Sequence, residues 1–396
     1  MITKILVVDD EQPNRDMVGD YLLDENPDFE VLIASDGQEA LEIMEKEKTI
    51  DLVLTDWNMP VMDGIQLVKA IKANPAFKQI PVLMQTANTT PAELKIAFDA
   101  GVMDYIKKPI EPVEMLARVK AALAFHYEKR KSDRLLLKIF PEEVAEELKE
   151  RNDATPRYFK SASILFADVN GFSKTARRLK DSPHTLVKML DRCFEILDDI
   201  ALRRGIERIK TIGDCYMAVA GVPTETHTHA LDLVLAGLEM QAAIEQATDE
   251  TREVDQWRLR MGIHTGDLVA GVIGRMKFAY DVWGDSVNLA SRLETTGMVG
   301  RVHISAETYQ AVKEFFVCEQ RAEWIEAKNI GLVQSYFVER LKPEFCADEA
   351  GLIPNAVFCE TKRKSDEWLI AGGFILLCVP IPVGTLLCRR PRPFPG

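Results

Sequence analysis

Five short apolar runs punctuate the first 120 residues: Ile5-Leu6-Val7-Val8, Val31-Leu32-Ile33, Leu52-Val53-Leu54, Val82-Leu83-Met84 and Asp104-Tyr105-Ile106. The stretches between them, such as Gln38 to Lys46 and Ile65 to Ala73, repeat apolar residues every three or four positions. Buried strands alternating with amphipathic helices leave one economical solution, a doubly wound parallel five-stranded sheet covered on both faces. Ligands of such sheets gather at the carboxyl ends of the strands. Asp9 and Asp10 follow the first run, Asp56 the third, Thr86 the fourth and Lys108-Pro109 the fifth. Three carboxylates drawn together would repel one another, and a hard cation such as Mg²⁺ removes that cost and makes a place for a phosphoryl group. A hydroxyl at Thr86 and an ammonium at Lys108 would hold its oxygens.

With these five features in order, residues 1–122 resemble the receiver domain of response regulators, a flavodoxin-like α/β fold. The resemblance implies that Asp56 accepts a phosphoryl group from a histidine kinase or phosphotransfer protein. It implies that Asp9, Asp10, Asp56 and the Asn58 carbonyl hold Mg²⁺, that Lys108 contacts the phosphoryl group, and that Thr86 and Tyr105 form a switch pair.

A chain of 396 residues has room for two or three domains of roughly 150 residues. Residues 123–158 read as a helical linker, with the charge run Glu128 to Asp133 and then a short helix started by Pro141. A weak heptad series, Leu116, Val119, Leu123 and Leu137, suits a short coiled coil.

From 159 to 340 hairpins and helices mix, which points to an α+β sheet. A strand ends in Asp168, followed by Val169-Asn170-Gly171-Phe172-Ser173, a glycine turn into a helix start. Free amides there suit an anion, and a strand-end carboxylate beside them suits a metal bridging to it. A hairpin carries Lys210-Thr211-Ile212-Gly213-Asp214, and two further strands are expected around Gly266 and Gly271. A helix from Ser286 to Leu293 is expected, capped by Asp285 or Ser286, with Val287, Ala290 and Leu293 buried. Asn288 and Arg292, four apart, share another face, and Glu294 reads as solvated surface.

These segments resemble the class III nucleotide cyclase catalytic domain, an α+β ferredoxin-like fold. Carried over by position, Asp168, Asp214 and the Val169 carbonyl bind two Mg²⁺ (or Mn²⁺) ions, and the amides of Phe172 and Ser173 cradle the triphosphate. Lys210 and Asp281 read the purine, Asn288 orients the ribose, Arg292 steadies the pentavalent phosphorus, and Lys328 binds the triphosphate end. A further basic contact falls on Arg275 or Lys277. Adenine offers a ring acceptor and an amino donor, which a lysine and an aspartate match, so the resemblance implies ATP conversion to cyclic AMP and pyrophosphate. Guanylate cyclase activity, or a phosphorelay module with an inactive cyclase domain, are the alternative readings. In the resembled family the two residue sets come from different subunits, which implies a homodimer.

The formal net charge of −13 argues against general phosphate attraction, so no nucleic acid is expected as partner. Seven irregularly spaced cysteines and an N-terminal apolar run of four residues fit a cytoplasmic protein. Residues 341–396 form an atypical tail, nearly free of charge from Trp368 to Cys388. Its 21 residues match a membrane span in length, but glycines and prolines interrupt it, so a membrane anchor and a disordered or locally packed tail both stay open.

Overall fold

The structure, a computed structural model, describes residues 2–47, 49–87, 90–250, 257–274, 276–327 and 331–370. It divides into two compact units, Met1–Lys138 and Ile139–Gly396.

In the first unit the alternation becomes β1 (Thr3–Val8), α1 (Gln12–Glu25), β2 (Phe29–Ala34), α2 (Gly37–Lys46), β3 (Leu52–Asp56), α3 (Gly64–Ala73), β4 (Val82–Thr86), α4 (Pro91–Ala100), β5 (Asp104–Lys107) and α5 (Pro112–Leu137). The strands are all parallel, in the order β2-β1-β3-β4-β5. Side chains alternate across each strand, so both faces are apolar. Leu6, Val8, Val53, Val82 and Met84 pack under α2, α3 and α4, while Ile5, Val7, Leu54 and Leu83 pack under α1 and α5. Local chemistry starts each helix: Asp36 accepts from the amides of Gln38 and Glu39 before α2, and Asp63 with Gln66 forms a capping box before α3. Gly64 is required where it stands, because a Cβ there would lie 2.2 Å from the Asp56 carbonyl oxygen. Gln85 is an exception to the apolar interior. It lies opposite Asp56 in the β3–β4 register and is fully buried, and neither carboxamide atom has a hydrogen-bond partner among the described residues.

The second unit runs α6 (Glu142–Arg151), β6 (Arg157–Asn170), α7 (Phe172–Arg178), α8 (Pro183–Arg203), β7 (Glu207–Ile212), β8 (Cys215–Ala220), α9 (His229–Glu250), β9 (Arg258–Ile273), β10 (Ala279–Trp283), α10 (Asp285–Thr296), β11 (Val302–Ser305), α11 (Ala306–Val312), β12 (Phe316–Gln320), β13 (Ile325–Ala327), β14 (Gly331–Val333), β15 (Ser335–Leu341) and α12 (Ala356–Ile370). The main sheet has the order β12-β15-β11-β9-β6-β8-β7, with β10 also on β9. Leu165, Ala167, Met261, Ile263 and Ile304 bury one face against residues of α8 and α9, including Leu197, Ile200 and Val234. On the other face α10 lies flush on β9 at Gly262, where a Cβ would meet the Glu294 amide nitrogen at 2.0 Å.

Three expectations are corrected here. The two strands expected around Gly266 and Gly271 are one sixteen-residue strand, β9, in which a Cβ at 266 would lie 2.4 Å from Ser286 Oγ, too close for a side chain, and one at 271 would sit tightly against Pro156 Cα at 3.2 Å. Helix α10 has no side-chain cap; Gly284 occupies that position, Asp285 is already helical, and Ser286 is buried. The buried stripe of α10 is Ser286, Leu289, Ala290, Leu293 and Glu294, with Val287 only half-buried, because the helix faces β9 along a line one residue round from the expected one.

Among the described residues no helix is long and apolar enough to cross a membrane. Most of the apolar segment Trp368–Cys388 lies outside the described residues.

Two buried histidines make the second unit acid-sensitive. A carbonyl can only accept, so His303 Nδ1–H donates to the Leu293 oxygen at 2.8 Å and Nε2 accepts from the Ser335 hydroxyl at 2.9 Å, which fixes the neutral ring. His229 bonds the hydroxyls of Ser163 at 2.8 Å and Ser161 at 3.1 Å. Burial lowers both to about 4 from 6.5. The unfolded chain then binds more protons, so this stability is fully present above pH 6.5 and lost as pH falls toward 4, up to about 3 kcal/mol for each histidine. Chemical denaturation followed from pH 7 to pH 4.5 is expected to show the loss, and His303→Gln to flatten it. Gln85→Met is expected to raise the unfolding free energy of the first unit by about 1 kcal/mol, since it removes an unmatched buried amide; a lower denaturation midpoint would show that the amide is bonded.

Candidate functional sites

In the strand order β2-β1-β3 the chain leaves β1 to opposite sides, and the crevice that opens at the carboxyl ends of β1 and β3 receives Asp9 and Asp56. Asp9, Asp10 and Asp56 each offer an oxygen, all within 4.8 Å of one another. Lys108, just past β5, reaches across to Asp56 Oδ1 at 2.8 Å and Asp9 Oδ2 at 3.0 Å. Burial holds Asp56 above the ordinary carboxylate range despite Lys108. Burial alone would lower the Lys108 ammonium, but its bonds to Asp56 and Asp9 outweigh that and raise it. Asp9 is 1% exposed and Asp10 open to solvent, so a cation could enter from the Asp10 side. Three clustered carboxylates with one exposed edge fit a hard divalent ion.

Thr86 is buried at the end of β4, and Asn58 is exposed on the loop after β3. Tyr105 is half-buried, edge-on to Phe98 at 6.4 Å with the Arg118 guanidinium 5.5 Å over its ring. Arg118 is itself tied to Asp104 and Glu114.

In the second unit Asp168 ends the inner part of β6 opposite Cys215 of β8, which brings it beside Asp214 in the β7–β8 turn. The Val169 amide donates to the Asp214 carbonyl at 3.3 Å, tying the two segments together. Burial first, then the charge of Asp214, hold Asp168 above the ordinary carboxylate range against the opposing pull of Arg260. That mutual repulsion fits the pair for divalent cations. Phe172 and Ser173 begin α7 just beyond, and the Phe172 ring lies edge-on to Trp257 at 6.2 Å.

Lys210 donates to Asp281 Oδ2 at 2.5 Å, joining β7 to β10. Asn288 and Arg292 project together from the exposed side of α10, as their four-residue spacing requires. Asn288 lines a shallow cleft of about 450 Å³ with Trp283 and Asp285. The Arg292 Nε–H donates to the Glu326 carbonyl of β13 at 3.0 Å. Lys277 is exposed in the β9–β10 turn; Lys328 and Arg275 lie outside the described residues.

The structure thus gathers the chosen residues into separate groups. Asp168 and Asp214 form one, Lys210 and Asp281 a second, and Asn288 with Arg292 a third. Along β9, Asp168 sits opposite Arg260 and Asp281 opposite Gly271, eleven residues further on and roughly 35 Å of strand path away.

Two charged residues escaped the sequence reading. Arg260 donates from Nη2 to Asp168 Oδ2 at 3.1 Å and from Nε to Glu294 Oε1 at 2.7 Å. Glu294, expected at the surface, is 7% exposed, and burial raises its pKa more than Arg260 lowers it. Its position four residues after Ala290, on the buried stripe, was the available signal.

Residues 155–340 match the adenylate and guanylate cyclase catalytic domain, and residues 5–120 match the response regulator receiver domain. An adenylate cyclase of Mycobacterium tuberculosis is 38% identical over 224 residues, covering 56% of this chain and 49% of that protein. A receptor-type guanylate cyclase of Caenorhabditis elegans is 30% identical over 283 residues, 69% of this chain and 26% of that one. The solved adenylyl cyclase of P. aeruginosa is 28% identical with a TM-score of 0.45, covering 48% of this chain and 98% of that one. The chain spans about half the length of the mycobacterial relative it matches, and about a quarter of the nematode one. From its sequence and its two site architectures, the chain carries a response regulator receiver domain over residues 5–120 and a class III adenylate/guanylate cyclase catalytic domain over residues 155–340.

Proposed function

We propose that this protein is an adenylate cyclase controlled by phosphorylation of Asp56, and that two copies of the chain build each active site. The observation that carries the reading is the division of α10 between two faces. Glu294 points inward toward Arg260 and Asp168, whereas Asn288 and Arg292 lie on the exposed side, Arg292 with its Nε–H on the Glu326 carbonyl. Residues 292 and 294 lie about 200° apart around the helix, so Arg292 turns away from the carboxylates of its own chain. A second chain is what would bring an arginine onto phosphorus held at Asp168 and Asp214.

In this reading the ribose 3′-oxygen of ATP bonds to the α-phosphorus while the bond to the pyrophosphate oxygen breaks. Divalent ions held by Asp168, Asp214 and the Val169 carbonyl would lower the hydroxyl pKa and neutralise the departing pyrophosphate. Phe172 and Ser173 amides, with Lys328, hold the phosphates; Asn288 orients the ribose; Arg292 meets the charge that develops on phosphorus. Lys210 and Asp281 are bonded to each other at 2.5 Å, and as a donor and an acceptor side by side they would match the adenine edge on exchanging that bond for the base. Relatives named as adenylate and as guanylate cyclases both match, so this pair is what favours ATP. A phosphoryl group on Asp56 adds charge beside Lys108, and the resulting change in the receiver is read by the cyclase.

Purified protein with ATP and Mg²⁺ or Mn²⁺ is expected to form cyclic AMP, and GTP to be turned over far more slowly. Asp168→Ala is expected to abolish activity and Arg292→Ala to cost on the order of 10²–10³ in turnover. Mixing those two inactive chains is expected to restore activity, because one hybrid site keeps both residues; no recovery would sink the shared site. A small-molecule phosphoryl donor is expected to change the rate of the wild type and not of Asp56→Asn. Equal wild-type rates with and without it would end the regulatory reading.

A further inference from the structure

A cavity of about 500 Å³ opens in the first unit at the opposite end of the sheet from Asp56, between the starts of β1 and β2 and the carboxyl-terminal half of α5. Its volume suits a small molecule. Phe29, Leu123 and Leu135 give it apolar walls. On α5, Leu123, Tyr127, Lys131, Arg134 and Lys138 share one face through their three- and four-residue spacing. Five cations, Lys120, Arg130, Lys131, Arg134 and Lys138, meet a single acid, Asp51, among the described lining residues, although the chain's formal net charge is −13. Three of the five are already matched: Lys120 by Glu25, Arg130 by Asp51 at 3.3 Å and Lys131 by Glu128 at 3.8 Å. Asp51 is occupied as well, accepting from the Lys4 amide at 3.0 Å. The side chains of Arg134 and Lys138, one turn apart, have no hydrogen-bond or ion-pair partner among the described residues.

The space is therefore polarised, with apolar walls around Phe29 and Leu123 and unmatched positive charge at Arg134 and Lys138. Like charges one turn apart on a helix repel, and an anion between them removes that cost. Covering the apolar walls with an apolar body is favourable in its own right. We propose that this cavity binds a small amphipathic anion, an apolar chain or ring ending in a carboxylate or phosphate. The body lies against Phe29 and Leu123, and the charged end meets Arg134 and Lys138. An arginine fork donates to two oxygens side by side, which both head groups offer. An occupant seated in this way bridges the sheet and α5, the last element of the first unit.

The test uses the full chain and a dansyl-labelled fatty acid, whose fluorescence rises in an apolar site, with displacement by unlabelled compounds below their micellar concentrations. Saturable binding is expected, with displacement by dodecanoate and by dodecyl phosphate. Acetate and inorganic phosphate lack the apolar body and dodecanol lacks the charge, so each is expected to displace the probe about tenfold less well or worse. Arg134→Gln with Lys138→Gln is expected to weaken binding about tenfold or more, as is Leu135→Asp, which puts a carboxylate in the wall. All three positions are exposed, so the fold tolerates these changes. Lys160→Gln with Lys188→Gln removes the same charge from exposed positions of the second unit and is expected to leave binding unchanged. Absence of saturable binding, unchanged binding in the Arg134/Lys138 pair, or an equal loss in the control pair would overturn the proposal. Equal displacement by dodecanol would overturn the anionic head group, and displacement by inorganic phosphate alone would overturn the apolar body. A chain that ignores the probe but loses self-association in Leu135→Asp would assign the cavity to a second copy instead.

Discussion

Carboxylates brought together at the ends of strands repel one another, and both domains answer this with a cation supplied from another strand of the same sheet. In the receiver, Lys108 crosses from the end of β5 to Asp56 and Asp9. In the cyclase domain, Arg260 lies beside Asp168, with the repulsion from Asp214 still felt in the raised pKa of Asp168. In neither case is the negative charge fully balanced. Three carboxylates meet one lysine in the receiver, and Asp168, Asp214 and Glu294 meet one arginine in the cyclase. The residual negative charge, kept in partly buried surroundings, suits each cluster to a doubly charged ion.

The two cations differ in kind. Lys108 is a point charge sharing its ammonium between Asp56 and Asp9. Arg260 is a planar fork that bonds Asp168 on β6 and Glu294 on α10 from separate nitrogens.

Much of this was readable in the sequence because the parallel sheet converts position in the chain into position in space. Once the apolar runs are strands, Asp9, Asp56, Thr86 and Lys108 fall at one end with no further information. The cyclase domain resists that logic. Its sheet is mixed, and the pairing of Asp168 with Arg260 spans 92 residues of sequence, set by a register that no local pattern reveals. Gly266 and Gly271 read as breaks between strands, whereas β9 runs unbroken through both and needs them for close approach to Ser286 and Pro156. Glu294 looked like surface because it is charged; only the stripe through Ser286, Ala290 and Leu293 places it inside. Gln85 had no signal at all, since a buried unmatched amide is a departure from what packing favours.

The opposed faces of α10 connect these points. One helix carries Glu294, bonded to Arg260 on its inner side, and Asn288 and Arg292 on its exposed side. Its tight seating on Gly262 means that any tilt of α10 moves both sets together, since the helix has no slack against β9. A regulatory input has therefore no need to reach the phosphate chemistry directly. Changing how two α10 helices face each other's carboxylates would alter the distance from Arg292 to phosphorus while leaving each Asp168–Arg260–Glu294 clamp intact.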